Sequence, residues 1–206
     1  ITLSEISKAG AILNSISLSP LSLDHVTEII VDTLNLPVEE VSSLASLVYL
    51  KTAGNPFFLN EFLKSLSKEK LLEFDDKNLK WVWDIEKIEK RGFTDNVVEF
   101  MTGKIQTLPK ITQGLLKLSA CIGNQFDLKT LSLVAEISLE DTLINLQYAL
   151  SENFIIPIGS IPDIDSPSFL NIDKEQSIPE YKFAHDRVQQ SCYSLIPQQE
   201  RAKTHF

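Results

Sequence analysis

Lys51-Thr52-Ala53-Gly54-Asn55-Pro56-Phe57-Phe58-Leu59-Asn60-Glu61-Phe62-Leu63 decides how the first half of this chain folds. A glycine and an asparagine ahead of a proline stop one helix and start the next. Gly54 suits the left-handed position that ends a helix, Asn55 caps its successor, and Pro56 fills the first helical position, where its missing N–H is not needed. Downstream, Phe58, Leu59, Phe62, Leu63 and Leu66 recur at helical spacing. Upstream, Val41, Leu44, Ala45, Leu47 and Val48 do the same behind Pro37, and Ser22 suits the cap of an earlier helix carrying Val26, Ile29, Ile30, Val31 and Leu34. After the third helix, Leu71 to Phe74 and Leu79 to Trp83 flank the polar turn Asp75-Asp76-Lys77-Asn78. Leu72 and Phe74 on one side, and Leu79, Trp81 and Trp83 on the other, fall at every second position, which predicts a hairpin. The first half therefore reads as a small helical bundle with one hairpin.

Past Gly92 the punctuation resets. Asp95 is expected to cap a helix of Val97, Val98, Phe100, Met101 and Ile105, and Pro109 to open another with Leu115, Leu116, Leu118, Cys121 and Ile122. Asp127 begins a short helix through Ala135. Ser138-Leu139-Glu140-Asp141 has the form of a capping box ahead of the stripe Leu139, Leu143, Leu146, Leu150. Phe154 to Ile158 reads as a strand, a polar, Pro-rich loop runs from Gly159 to Glu180, and Tyr181 to Ala184 returns as the strand's partner. Three helices followed by two strands around a long excursion is the order of a winged helix. At the other end, Ala11 to Leu18 reads as a buried strand with no parallel neighbour in the chain, so its sheet is expected upstream of Ile1, in an α/β core. A start at Ile1 and a stop at Phe206 inside a charged helical stretch are what a piece of a longer polypeptide would show.

The chain has 206 residues, 43% hydrophobic and 23% charged, which is globular composition with enough length for a real core. No apolar run reaches the ~18–20 residues of a membrane span, and no basic-then-apolar leader opens the chain. A soluble, cytoplasmic protein is expected. Cys121 and Cys192 fall at apolar helical positions without neighbouring Cys or His, and read as core thiols, not as a disulfide or metal site. The net charge of −9 repels phosphate backbones. In the winged-helix order the helix from Ser138 holds the DNA-reading place, yet Glu140, Asp141 and Glu152 attend it and no lysine or arginine does. Nucleic acid is not an expected partner.

Two short motifs admit both a structural and a chemical reading. Gly54-Asn55-Pro56 is fully explained as helix punctuation; the same rigid helix start could also present backbone and a proline ring to a nucleotide base. At Ala184-His185-Asp186, Asp186 serves as an N-cap and His185 as a surface or interdomain histidine. Alternatively, His185 donates a hydrogen bond to a phosphate beside the helix N-terminus. Trp81-Val82-Trp83 is read as hairpin core, since the nearby Asp75, Asp76, Asp84 and Glu86 oppose an anionic ligand. His25 and His205 are isolated, no catalytic triad can be drawn, and no G-x-x-x-x-G-K-[ST] loop occurs. By itself the chain is not expected to be an enzyme.

Taken together, several blocks in order resemble a known family: Ser19-Pro20-Leu21-Ser22, the Lys51 to Leu63 stretch, Thr94-Asp95-Asn96-Val97-Val98-Glu99, and Phe183-Ala184-His185-Asp186-Arg187-Val188-Gln189-Gln190. They look like the half that follows the catalytic core in STAND/AAA-type signalling ATPases. More narrowly, they resemble the predicted-ATPase module of large sensor kinases, placed between a Ser/Thr-kinase-like domain and GAF plus histidine-kinase domains. The resemblance implies a mainly α fragment with this division: 1–20, the last strand of the ATPase core; 21–95, a helical lid bundle with a β-hairpin; 96–186, a winged-helix domain; and 187–206, the start of a following helical region. It also implies a nucleotide switch. An upstream P-loop core would bind ATP or ADP mainly through residues outside this chain, with no metal site here, and flanking kinase or sensor domains would be the partners. The implied nucleotide-sensing residues are Gly54, Asn55 and Pro56 against the base, and His185 and Asp186, which match the last two positions of the Met-His-Asp motif that contacts the ADP β-phosphate in related plant resistance proteins. Ala184 stands where that motif has methionine. The rival expectations are a module that docks a neighbouring kinase domain and a DNA-binding winged-helix regulator.

Overall fold

A computed structural model describes residues 18–159, 178–199 and 201, and the strand expected over Ala11 to Leu18 lies, apart from Leu18, outside them. The chain is mainly helical with small antiparallel sheets, as its periodicity predicts, and contacts divide it between Ile88 and Glu89 into two compact units.

In the first unit, α1 (Leu23–Leu34), α2 (Val38–Thr52) and α3 (Pro56–Lys68) precede the hairpin strands β1 (Leu72–Asp75) and β2 (Lys80–Trp83), and α4 (Ile85–Arg91) spans the dividing point. Each helix buries one stripe. Val26, Ile30 and Leu34 do so from α1, Val41, Leu44, Ala45 and Val48 from α2, and Phe58, Leu59, Phe62 and Leu66 from α3. The expected Ile29 and Val31 sit only at the rim of the α1 stripe. Ser22 caps α1 in a reciprocal box with His25, so that histidine is engaged locally. In the hairpin, Leu72 faces Trp83 and Phe74 faces Trp81, the latter pair meeting edge to face at 5.5 Å. Two expectations fail here. Leu79 is a turn residue with φ +50° and is 76% exposed, so it is not part of the strand. Trp81 and Trp83 are half-buried and not core, because a two-stranded ribbon leaves much of their surface to solvent.

In the second unit, α5 (Val97–Gln106) and α6 (Lys110–Ile122) lead to β3 (Gln125–Asp127), α7 (Leu128–Ala135), α8 (Leu139–Ser151), β4 (Ile155–Ile158), β5 (Glu180–Phe183) and α9 (Asp186–Ser194). The sheet order is β3-β5-β4, all antiparallel. The expected two-stranded arrangement therefore has three strands, since Gln125 to Asp127 is too short to show a period of two. Central β5 alternates as a half-buried strand should, with Tyr181 and Phe183 inward, and Phe126 of β3 stacks on Tyr181 at 6.0 Å. Pro157 is tolerated because β4 is an edge. From α8, Leu143, Leu146 and Ala149 are fully buried, and the Thr112 hydroxyl of α6 donates to the Asn145 carbonyl at 2.9 Å. Helix α9 packs on α5 and α6, where the Ser191 hydroxyl reaches the Val98 carbonyl at 3.1 Å. Cys192 is buried in this contact region, whereas Cys121 is only partly covered, so one of the two thiols is core.

One expected cap is displaced by one residue, and one expected capping box closes differently. Asn96, not Asp95, caps α5: its Oδ1 accepts from the Val98 N–H at 2.9 Å and the Glu99 N–H at 3.3 Å. At α8, Ser138 Oγ accepts from the Asp141 N–H at 3.0 Å but donates to Asp141 Oδ2 at 2.7 Å, so the acidic side chain answers the hydroxyl instead of the cap's own N–H. An aspartate is one methylene shorter than the glutamate of a full capping box.

Candidate functional site

The Ala53-Gly54-Asn55-Pro56 turn is built from consecutive constraints. Ala53 is the left-handed residue that ends α2, with φ 48° and its N–H bonded to the Tyr49 carbonyl at 2.8 Å. Gly54, placed at that position by the sequence, follows it at φ +69°. The Gly54 carbonyl accepts from the Leu21 N–H at 2.8 Å, and a Cβ added to Gly54 would lie 2.0 Å from the Leu21 carbonyl oxygen. Glycine is thus required twice, by its dihedral and by the close approach of another backbone. Asn55 is the N-cap of α3, with Oδ1 accepting from the Phe58 N–H at 2.9 Å, and Pro56 is the first helical residue.

The rigid start leaves the Pro56 ring exposed at one end of a cavity of about 440 Å³. Its lining within the first unit includes Leu59, Leu63 and Leu72, with Trp81 as an aromatic wall and Asn60 and Lys64 at polar positions. Lys64 Nζ is held by Glu61 Oε1 at 3.0 Å. Pro56, Asn60 and Lys64 follow at four-residue spacing, a face legible in the sequence but not singled out there. The approach of Trp81 is tertiary and carried no local signal. Chemically the cavity suits a flat, mainly apolar group with a few polar edges.

In the second unit, His185 and not Asp186 is the N-cap of α9. Its Nδ1 accepts from the Arg187 N–H at 3.1 Å, while Asp186 is the exposed first helical residue. That bond ties the half-buried imidazole to the start of its own helix. Among the described residues no group of three or more His, Cys, Asp or Glu is placed to hold a metal ion, and no helix is long and apolar enough to cross a membrane.

Comparison with known proteins finds one informative likeness. The chain is 36% identical over 201 residues to hybrid signal transduction histidine kinase G of Dictyostelium discoideum, a match covering 88% of this chain and 6% of that protein. The chain thus resembles one segment of a very long signalling protein. No family model matches it. No solved structure matches it either.

Proposed function

We propose that this segment is the regulatory half of a nucleotide-dependent switch within a multi-domain sensor kinase. The helices of the first unit act as a lid, the second unit as a winged helix, and a P-loop core outside this chain binds ATP or ADP. The observation that carries this reading is the Pro56 ring, held out at a turn with no backbone freedom and opening onto a cavity suited to the face of a base. Two further features support it. The chain order α6-β3-α7-α8-β4-β5, with sheet order β3-β5-β4, supports the winged-helix reading of the second unit. The likeness to a hybrid histidine kinase supplies the signalling context. In this reading catalysis and nucleotide binding belong mainly to the P-loop core, the partners are that core and flanking kinase or sensor domains, without nucleic acid or membrane, and the setting is the cytoplasm.

The physical logic is differential contact. Pro56 would rest against the base, with Gly54 and Asn55 fixing its position. His185 would donate to a phosphate oxygen, with Asp186 beside it at the helix start. A nucleotide that makes these contacts in one arrangement of lid and winged helix and not in another biases the equilibrium between them. A bias of ~1–3 kcal/mol is enough for regulation. In the polypeptide that carries this segment, Pro56→Ala and His185→Ala are expected to speed ADP release about 5-fold or more and to raise basal output. Measurement of ADP release and signalling in both variants is the test; unchanged release in both discards the reading.

A further inference from the structure

We propose that the groove between α1 and α2 docks a basic amphipathic segment of a partner polypeptide, with Lys or Arg at helical spacing around an aliphatic anchor. This surface is separate from the Pro56 cavity and does not depend on nucleotide.

The two helices, joined by a short connection, leave a groove of about 590 Å³. Along its α1 side stand Asp24, Glu28 and Asp32, at four-residue steps and therefore on one face, over a length of ~12 Å. All three are exposed, and none makes a hydrogen bond or ion pair among the described residues. Asp24 in the first turn suits the helix N-terminus, but Glu28 and Asp32 add like charges at four-residue spacing, with Asp32 near the C-terminal end, and these are not explained by the stability of α1. Nor is it balanced nearby. Residues 18–50 contain no lysine or arginine, and Glu39 and Glu40 at the start of α2 extend the negative field.

The carboxylates are only half of the surface. Leu23 and Val31 of α1 and Val38 of α2 also line the groove, with Leu23 38% and Val38 53% exposed, while Ser42 and Ser46 offer hydroxyls on the α2 side. Apolar side chains beside three unpaired carboxylates suit a partner that brings both a cation and a hydrocarbon face. A metal ion is a poor occupant, since these carboxylates are not grouped to bind one. Nucleic acid and anionic lipid are repelled. A basic amphipathic helix laid in the groove satisfies both halves, its cations opposite Asp24, Glu28 and Asp32 and its aliphatic residue against Leu23, Val31 and Val38.

The test uses the 206-residue chain and a fluorescent synthetic helical peptide with lysines on one face and leucines beside them, read by anisotropy. Saturable binding that weakens with salt is expected, and a peptide with glutamate in place of lysine should not bind. Combined Asp24→Asn, Glu28→Gln and Asp32→Asn should weaken binding at least ~10-fold, and Val38→Ser ~3-fold or more. Neutralising Glu140 and Asp141 on α8 should leave it unchanged. Circular dichroism checks that every variant remains helical; if the triple variant does not, Val38→Ser and the leucine-free peptide still read the apolar half. The proposal is overturned by absence of binding, by equal loss on neutralising α8, or by insensitivity to both Val38→Ser and removal of the peptide leucines with full displacement by spermidine. The last result assigns the groove to small polycations.

Discussion

Gly54 and Pro56 flank Asn55 in the turn and are opposite in what they tolerate. A side chain at 54 would collide with the Leu21 backbone in a dihedral that L-residues avoid, so Gly54→Ala is expected to cost ~2–4 kcal/mol in urea unfolding of the chain. Pro56→Ala should stay within ~1 kcal/mol, because the residue is exposed and the first helical position needs no N–H. That contrast makes position 56 useful for nucleotide experiments and position 54 unsuitable for them. Tyr181 is fully buried on β5, and its hydroxyl finds no hydrogen-bond partner among the described residues. Tyr181→Phe removes an unpaired polar atom while keeping the stack on Phe126, and is expected to stabilise the chain by ~1 kcal/mol in the same assay. Both glycine and tyrosine owe their roles to distant backbone or ring neighbours, which no local pattern reveals.

At the level of elements, helix caps were legible to within a residue and their exact donors were not. Asp95 and Asp186 are good capping residues by type, yet Asn96 and His185 hold those positions, because the cap is chosen by where the chain turns and not by composition. In the hairpin, Asp75 holds the turn by accepting from the Lys77 N–H at 3.0 Å and from the Asn78 side chain at 2.6 Å, and the bonds from Asn78 hold its carboxyl below the usual carboxylate range. Helix α1 is the element where stability and the proposed docking diverge. Glu28→Lys replaces two repulsive four-residue pairs, with Asp24 and Asp32, by two attractive ones, so the melting temperature should rise, equivalent to ~0.5–1 kcal/mol. The same change should weaken the basic peptide. A stabilising substitution that weakens binding is the trade expected when charge is kept for a partner.

For the whole molecule, buried acids set the alkaline limit. Burial pushes the Cys192 thiol from 9.0 up to about 12 and the Tyr181 phenol from 10.0 up to about 12. Both groups are raised in the folded chain, so it disfavours their ionisation. Stability is whole below pH 9 and falls as the unfolded chain ionises first, through the window from 9 to about 12. On a scale of ~1.4 kcal/mol per unit the loss reaches a few kcal/mol. Urea midpoints across that range should decline, and Cys192→Ala should delay the onset toward pH 10, where Tyr181 begins to matter. Short-range periodicity determined which segments are helices, where the Gly54-Asn55-Pro56 break falls and that the surface is acidic, since these depend on residues within a few positions of one another. Only tertiary structure decided that β3 joins the sheet, that Leu21 closes onto Gly54, that Trp81 walls the cavity beside Pro56 and that Asp24, Glu28 and Asp32 border a groove with α2. Those features require surfaces far apart in sequence to meet, and the spacing of residues along one element carries no information about what it meets.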